Sequence, residues 1–102
     1  MNNNDAFLSR LGIARKAGKL SAGFAAAKDS VNKGVAELVI IASDISEKSE
    51  KEIRFVCKTA VTAVRVPNTT FEISNAIGTK AGIISVNDEG FAKSILNNIP
   101  KE

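Results

Sequence analysis

The chain contains no histidine, no tryptophan and no tyrosine, and only one cysteine and two prolines among 102 residues. Without histidine it lacks the commonest general base and the commonest transition-metal ligand. No nucleophile–base pair is visible in its place, so the expectation is a non-enzyme with no catalytic residue, no metal and no cofactor. A single Cys57 forms no internal disulfide and fits a reducing compartment, and its place in an apolar periodicity marks it as a core residue. The missing Trp and Tyr argue against stacking of bases on a sheet, which needs exposed aromatics there. All five phenylalanines (Phe7, Phe24, Phe55, Phe71, Phe91) fall in expected helices, most of them on inner faces. No uninterrupted apolar run exceeds Leu38 to Ala42, far below the roughly 20 residues that span a bilayer. The opening Met1-Asn-Asn-Asn-Asp5 has neither a charged nor an apolar leader segment. A cytoplasmic protein without membrane contact is expected, with the monomer favoured.

What is present is a folded composition, 44% hydrophobic and 25% charged, in a length that suits one domain over 1–102. The charge is uneven. Of the net +3, residues 1–34 carry +4 (Arg10, Arg15, Lys16, Lys19, Lys28 and Lys33 against Asp5 and Asp29), and the remainder carries −1. A basic third of this kind is what a polyanion-binding surface looks like, although a solvated helix face produces the same bias.

Hydrophobic spacing predicts the elements in order. Phe7, Leu8, Leu11 and Ala14 recur at three and four residues, an amphipathic helix with Asn4 or Asp5 as cap and Gly18 as its end. Lys19 to Ala22 alternates as a short strand. Gly23 opens a second helix whose inner face is Phe24, Ala27 and Val31, and Gly34 closes it. Leu38 to Ala42 is apolar on both faces, as in a strand covered from both sides. Asp44, with Glu47 three residues on, predicts a cap for a helix built on Ile53, Val56, Cys57 and Ala60. Val61 to Val66 is β-branched and stops at Pro67. Thr69 or Thr70 caps a helix carrying Phe71, Ile73 and Ile77. Ala81 to Val86 is a further strand, and Asn87 or Asp88 caps a last helix with Phe91, Ile95 and Ile99 inside. The alternation α-β-α-β-α-β-α-β-α predicts an α/β fold, a three-layer α/β/α sandwich around a mixed sheet of about four strands.

Two apparent motifs do not carry the chemistry they suggest. Gly12 to Lys19 has five residues between its glycines and Leu20 where a phosphate-binding loop needs Ser or Thr. Asp44, Glu47 and Glu50 could form a divalent-cation cluster, but Glu47 and Glu50 share a helix with Lys48 and Lys51, so a cap and a solvated face account for them. Backbone recognition of a nucleic acid remains: lysines meet phosphates, and a helix N-terminus offers unpaired N–H groups. Gly23, flanked by Lys19 and Lys28, supplies both and admits another backbone closely.

The segments Leu11-Gly-Ile-Ala-Arg-Lys-Ala-Gly-Lys-Leu-Ser-Ala-Gly23, Gly34-Val-Ala-Glu-Leu-Val-Ile-Ile-Ala-Ser-Asp44, Val66-Pro67, Ile77-Gly78 and Asp88-Glu-Gly-Phe-Ala-Lys93 together resemble the kink-turn-binding ribosomal-protein superfamily, most closely its short bacterial YlxQ-like branch. The resemblance implies an α/β/α sandwich that binds kinked RNA with the loop between the first strand and second helix, the end of the next strand, and the loop before the last strand. Carried over, it implicates Gly23 to Asp29, Ser43 with Asp44, and Gly78 to Ile83. The family's motif places Asn and Glu two and three residues after the glycine and Lys six after it. Here those places hold Ala25, Ala26 and Asp29, with Lys28 the nearest lysine. Loss of the Asn and Glu side chains removes base-edge hydrogen bonds worth about 1–3 kcal/mol of discrimination each.

The expectation is a non-catalytic, ribosome-associated protein binding structured RNA. Lys19, Lys28 and Lys33 would meet phosphates, Gly23 and Phe24 would form the close-approach turn with Ala25 and Ala26 just behind it in the RNA-binding set, Asp44 would stand at the strand end, and Lys80 with Gly82 would line the second loop together with Ala81. The alternative is a protein-interaction module that kept the fold and lost the base-specific contacts.

Overall fold

The computed structural model describes residues 3–100. Its elements follow the expected order: α1 (Asn3–Lys16), β1 (Leu20–Ala22), α2 (Phe24–Asn32), β2 (Leu38–Ile41), α3 (Glu47–Cys57), β3 (Thr62–Arg65), α4 (Thr70–Ile77), β4 (Ile83–Val86) and α5 (Glu89–Asn97). The strands form one mixed sheet in the order β1-β4-β2-β3. β4 runs antiparallel to both β1 and β2, while β2 and β3 are parallel. The carboxyl ends of β1, β2 and β3 therefore lie at one end of the sheet, where β4 begins.

The period-two alternation of buried strands sorts the core into two halves. Leu38 and Ile40 of β2 join Ile84 and Val86 of β4 beneath Phe7, Leu11 and Ala14 of α1, Ile73 and Ile77 of α4, and Ile95 of α5. Val39, Ile41 and Ile83 point the other way, onto Ala27 of α2 and Ile53 and Cys57 of α3. Three helices on one face and two on the other make the expected three layers. α1 and α4 approach closely at Gly12, where a Cβ would lie 2.9 Å from the Ala76 carbonyl oxygen.

A half-buried polar seam joins α2 to the sheet. Ser21 and Ser30 hydroxyls lie 2.7 Å apart. The Asn87 amide donates to Ser21 Oγ at 2.8 Å, and Ser85 Oγ donates to Asn87 Oδ1 at 2.9 Å. Because buried hydroxyls and amides need these partners, the seam ties Ser30, in the last turn of α2, to β1 and to the residue that follows β4.

Several sequence expectations are corrected. α1 is already helical at Asn3, so Asn4 and Asp5 lie within its first turn rather than capping it; its start lies at the edge of the described residues. Asp44 does not cap α3: Ser46 does, its hydroxyl accepting from the Ser49 amide at 3.2 Å. Ile45 separates Asp44 from that cap, and the Asp44 carboxylate is free for another partner. Ala60 lies beyond the end of α3 and is exposed, and Ile99 packs on the core from beyond α5. Phe55 and Phe71 are each 73% exposed, because Ile53 with Cys57 and Ile73 with Ile77 take the inner faces of their helices. Cys57 is a core residue, as expected, and burial pushes its thiol pKa up against the opposing pull of Arg54.

Candidate nucleic-acid interface

Three chain segments converge at the carboxyl end of the parallel strands. The Gly23 amide donates to the Ile83 carbonyl at 2.8 Å, and the Ala42 amide donates to the Gly82 carbonyl at 2.8 Å. β4's entry is thus clamped between the end of β1 and the end of β2. Gly23 sits at φ 103° and ψ 159° as the N-cap of α2. That backbone region is essentially reserved for glycine. With no side chain at the cap and no acidic residue in the first turn, the leading N–H groups of α2 at Phe24, Ala25 and Ala26 have no intrahelical acceptor and carry the positive end of the helix dipole.

Asp44 organises the second part. Its Oδ1 accepts from the Thr70 amide at 2.9 Å and from the Thr70 hydroxyl at 2.7 Å. The hydroxyl bond first, and the amide bond second, hold its carboxyl below the ordinary carboxylate range. Asp44 therefore secures the first turn of α4, which a capping box at Thr69 and Glu72 also closes. Gly82 completes the contact: a Cβ there would come within 2.5 Å of both Thr70 Oγ1 and Ile45 Cδ1. The loop before β4 is pinned again at Ala81, whose amide donates to Ser74 Oγ at 3.0 Å. Beside this cluster the Arg65 guanidinium donates to the Ser43 carbonyl and approaches Glu50 Oε1 at 3.6 Å, while Arg54 Nε meets Glu50 Oε2 at 2.9 Å.

Gly23, Phe24, Ala25, Ala26, Asp44, Ala81 and Gly82 are therefore brought to one end of the sheet, and Lys80 stands exposed on the same loop as Gly82. Lys19 and Lys33 are not. Lys19 precedes β1, so the length of that strand separates it from Gly23; its carbonyl accepts from the Asn87 amide at the opposite end of the sheet. Lys33 follows the last turn of α2 and is paired with Asp29 at 2.9 Å. Both follow from direction: β1 runs toward the site and α2 runs away from it. Lys28 is exposed midway along α2 and has no ion pair among the described residues.

Sequence reasoning overlooked Thr70, Arg65 and Glu50 as parts of this end of the fold. Nothing in the linear order links Asp44 to a hydroxyl 26 residues later. The one available signal is that Asp44 and Thr70 each follow a predicted strand of the same sheet.

Residues 5–96 match the family described as ribosomal protein L7Ae/L30e/S12e/Gadd45. Among solved structures, the chain is similar to a protein with unknown function from Bacillus halodurans C, with 29% identity and a TM-score of 0.85 over 93% of this chain and 97% of that one. It also shares its fold with a Giardia lamblia 15.5kD RNA binding protein, at 20% identity and a TM-score of 0.75 over 94% of this chain and 83% of that one. No curated protein matches the sequence.

Proposed function

The chain belongs to the ribosomal protein L7Ae/L30e/S12e/Gadd45 family, and from that membership we propose that it is a cytoplasmic, ribosome-associated protein that binds structured RNA at the strand-end surface and performs no catalytic step of its own. The observation that carries the reading is the convergence of Gly23, Asp44 with Thr70, and Gly82 around the uncapped N-terminus of α2. Such a helix start accepts a phosphate or a base-edge acceptor, and a glycine at its cap lets a nucleic-acid backbone come close. Lys80 adds a cation from the second loop. Ala25 and Ala26 offer only their backbone, so recognition rests on shape and phosphate contacts more than on base edges.

The RNA fold that suits this surface is a kink, where the backbone turns sharply enough to meet both the α2 start and the loop at Lys80. Gel-shift titration against a kink-turn RNA and a fully paired duplex, across a salt series, tests it. Micromolar or tighter binding that prefers the kinked RNA and weakens steeply with salt is expected. Absence of binding to either RNA at low salt refutes the reading and leaves the fold as a protein-interaction module.

A further inference from the structure

α2 and α3 lie side by side on the sheet, and between them runs a groove of about 340 Å³ lined by Phe24, Lys28, Lys51, Glu52, Phe55 and Val56. Phe24 is the first helical residue after Gly23, so the groove opens directly beside the proposed RNA surface. We propose that this groove receives one unpaired nucleotide of the bound RNA, its base stacking on Phe55 against Phe24 and its phosphate meeting Lys28 and Lys51.

Four observations support that occupant over an apolar one. Phe55 is 73% exposed although its helix has a buried face, so the ring is presented to solvent. Lys58 Nζ stands 5.3 Å from the ring centroid, a cation over an aromatic face. Lys28 is unpaired among the described residues, and Lys51 is held only by the exposed Glu47 at 3.1 Å, a pair that a phosphate can replace at little cost. Glu52, without an ion pair among the described residues, supplies an acceptor for an exocyclic amine of a base. Aromatic rings interleaved with lysines are the elements of single-strand recognition, and the volume falls within the roughly 300–1,000 Å³ of small-ligand sites. Two lysines and one carboxylate line the groove, with Lys58 beside it at the Phe55 ring, a balance that favours a polyanion over a peptide helix.

The inference rests on the RNA-binding reading, and one experiment separates the two. The probes are a duplex with a three-nucleotide bulge, bearing 2-aminopurine in the bulge, and the fully paired duplex. The full chain should bind the bulged probe and quench its fluorescence by stacking. Phe55→Ala should lose roughly tenfold affinity for the bulged probe, with the quenching, and keep its affinity for the paired duplex. Lys28→Ala, a surface change, should weaken the bulged complex several-fold, whereas Leu96→Ala on α5 should change neither. Unaltered affinity and quenching in both Phe55→Ala and Lys28→Ala overturn the groove while RNA binding stands. Failure of the unmodified chain to bind either probe overturns the RNA reading and the groove with it. Retained RNA affinity with loss of a co-purifying protein from Phe55→Ala overturns it in favour of a protein occupant.

Discussion

Replacing Gly23 by alanine isolates the conformational cost of the turn from any packing cost. A Cβ built at Gly23 meets no atom within 4 Å, so nothing has to move to make room. The backbone, however, is held at φ 103° and ψ 159° from both sides: the Gly23 amide donates to Ile83 at 2.8 Å, and its carbonyl accepts from the Ala27 amide at 2.9 Å. An L-residue must either remain in this region, at about 1–3 kcal/mol, or rotate out and give up one of the two bonds, at about 1 kcal/mol. The stiffer unfolded chain returns about 0.4–1 kcal/mol. If the residue stays in this region a net loss of about 0–2.6 kcal/mol remains, about 1 kcal/mol at the centre of that range, and if it rotates out the loss is smaller; for a domain of this size 1 kcal/mol lowers the melting temperature by about 4–8 °C. Asparagine sharpens the test, because it tolerates the left-handed helical region but not this one. Gly78 occupies that region, at φ 76° and ψ 16° as the C-cap of α4. Gly78→Asn should therefore cost only a fraction of what Gly23→Asn costs, although Asn is the better N-cap residue by a few tenths of a kcal/mol. Thermal denaturation followed by circular dichroism decides it. A Gly23→Ala melting point within about 1 °C of the parent, or equal losses for Gly78→Asn and Gly23→Asn, refutes the reasoning.

Three further outcomes are expected. Thr70→Val keeps the backbone donor to Asp44 and deletes the hydroxyl, the larger cause of its lowered pKa, so the Asp44 carboxyl should titrate closer to its ordinary range in an NMR pH series; an unchanged titration removes the hydroxyl from the account. Because the folded Asp44 value lies below the unfolded one, its contribution to stability is complete above the ordinary carboxylate range and disappears as pH falls through the folded value. Lys80→Ala should reduce the slope of log affinity against log salt for kink-turn RNA by about 1, while Lys33→Ala, at the far end of α2, should leave the slope unchanged; the reverse pattern misplaces the interface. Lys58 follows α3 at φ 49° and ψ −126°, so Lys58→Gly should raise the melting temperature by relieving about 1 kcal/mol or more of strain; an unchanged or lower melting temperature refutes this.

The order of elements was legible because each rests on a local signal. β2 is apolar throughout and is buried on both sides, and Gly23, Gly34 and Gly78 punctuate helices at positive φ. The layers follow from the alternation Leu38, Val39, Ile40, Ile41 across the two halves of the core. What the sequence left open concerns direction and long-range pairing. Lys19 is near Gly23 in the chain yet separated from it by a strand that points at the site, and Lys33 is carried away by the helix that leaves it. Asp44 has a capping residue's spacing to Glu47, but Thr70 outbids that role with two donors. The phenylalanines show the same limit: Phe55 and Phe71 have helical neighbours apolar enough to predict burial, and only the packed sheet reveals that other residues already fill the inner faces.

On the proposed function, the same geometry accounts for an RNA surface without the Asn, Glu and Lys side chains that the kink-turn resemblance leads one to expect. Those side chains would project from Ala25, Ala26 and Asp29, whereas the features that build the surface belong to the backbone and to positions outside the motif. Gly23's conformation, the free amides of the first turn of α2, the clamp on β4 and the Asp44–Thr70 bond are all independent of what stands at 25, 26 and 29. The proposal therefore assigns base-edge discrimination to what substitution at these positions removes, and phosphate affinity to what remains. Restoring the motif in the triple variant Ala25→Asn, Ala26→Glu and Asp29→Lys should accordingly raise the preference for a kink-turn over a mismatched kink by about 10-fold or more, since each recovered base-edge contact is worth about 1–3 kcal/mol. Its affinity for the unkinked duplex should change far less. A triple variant that gains equally on all RNAs shows that the Asp29→Lys charge alone acts, and that the surface never held the base pairs at the kink in register.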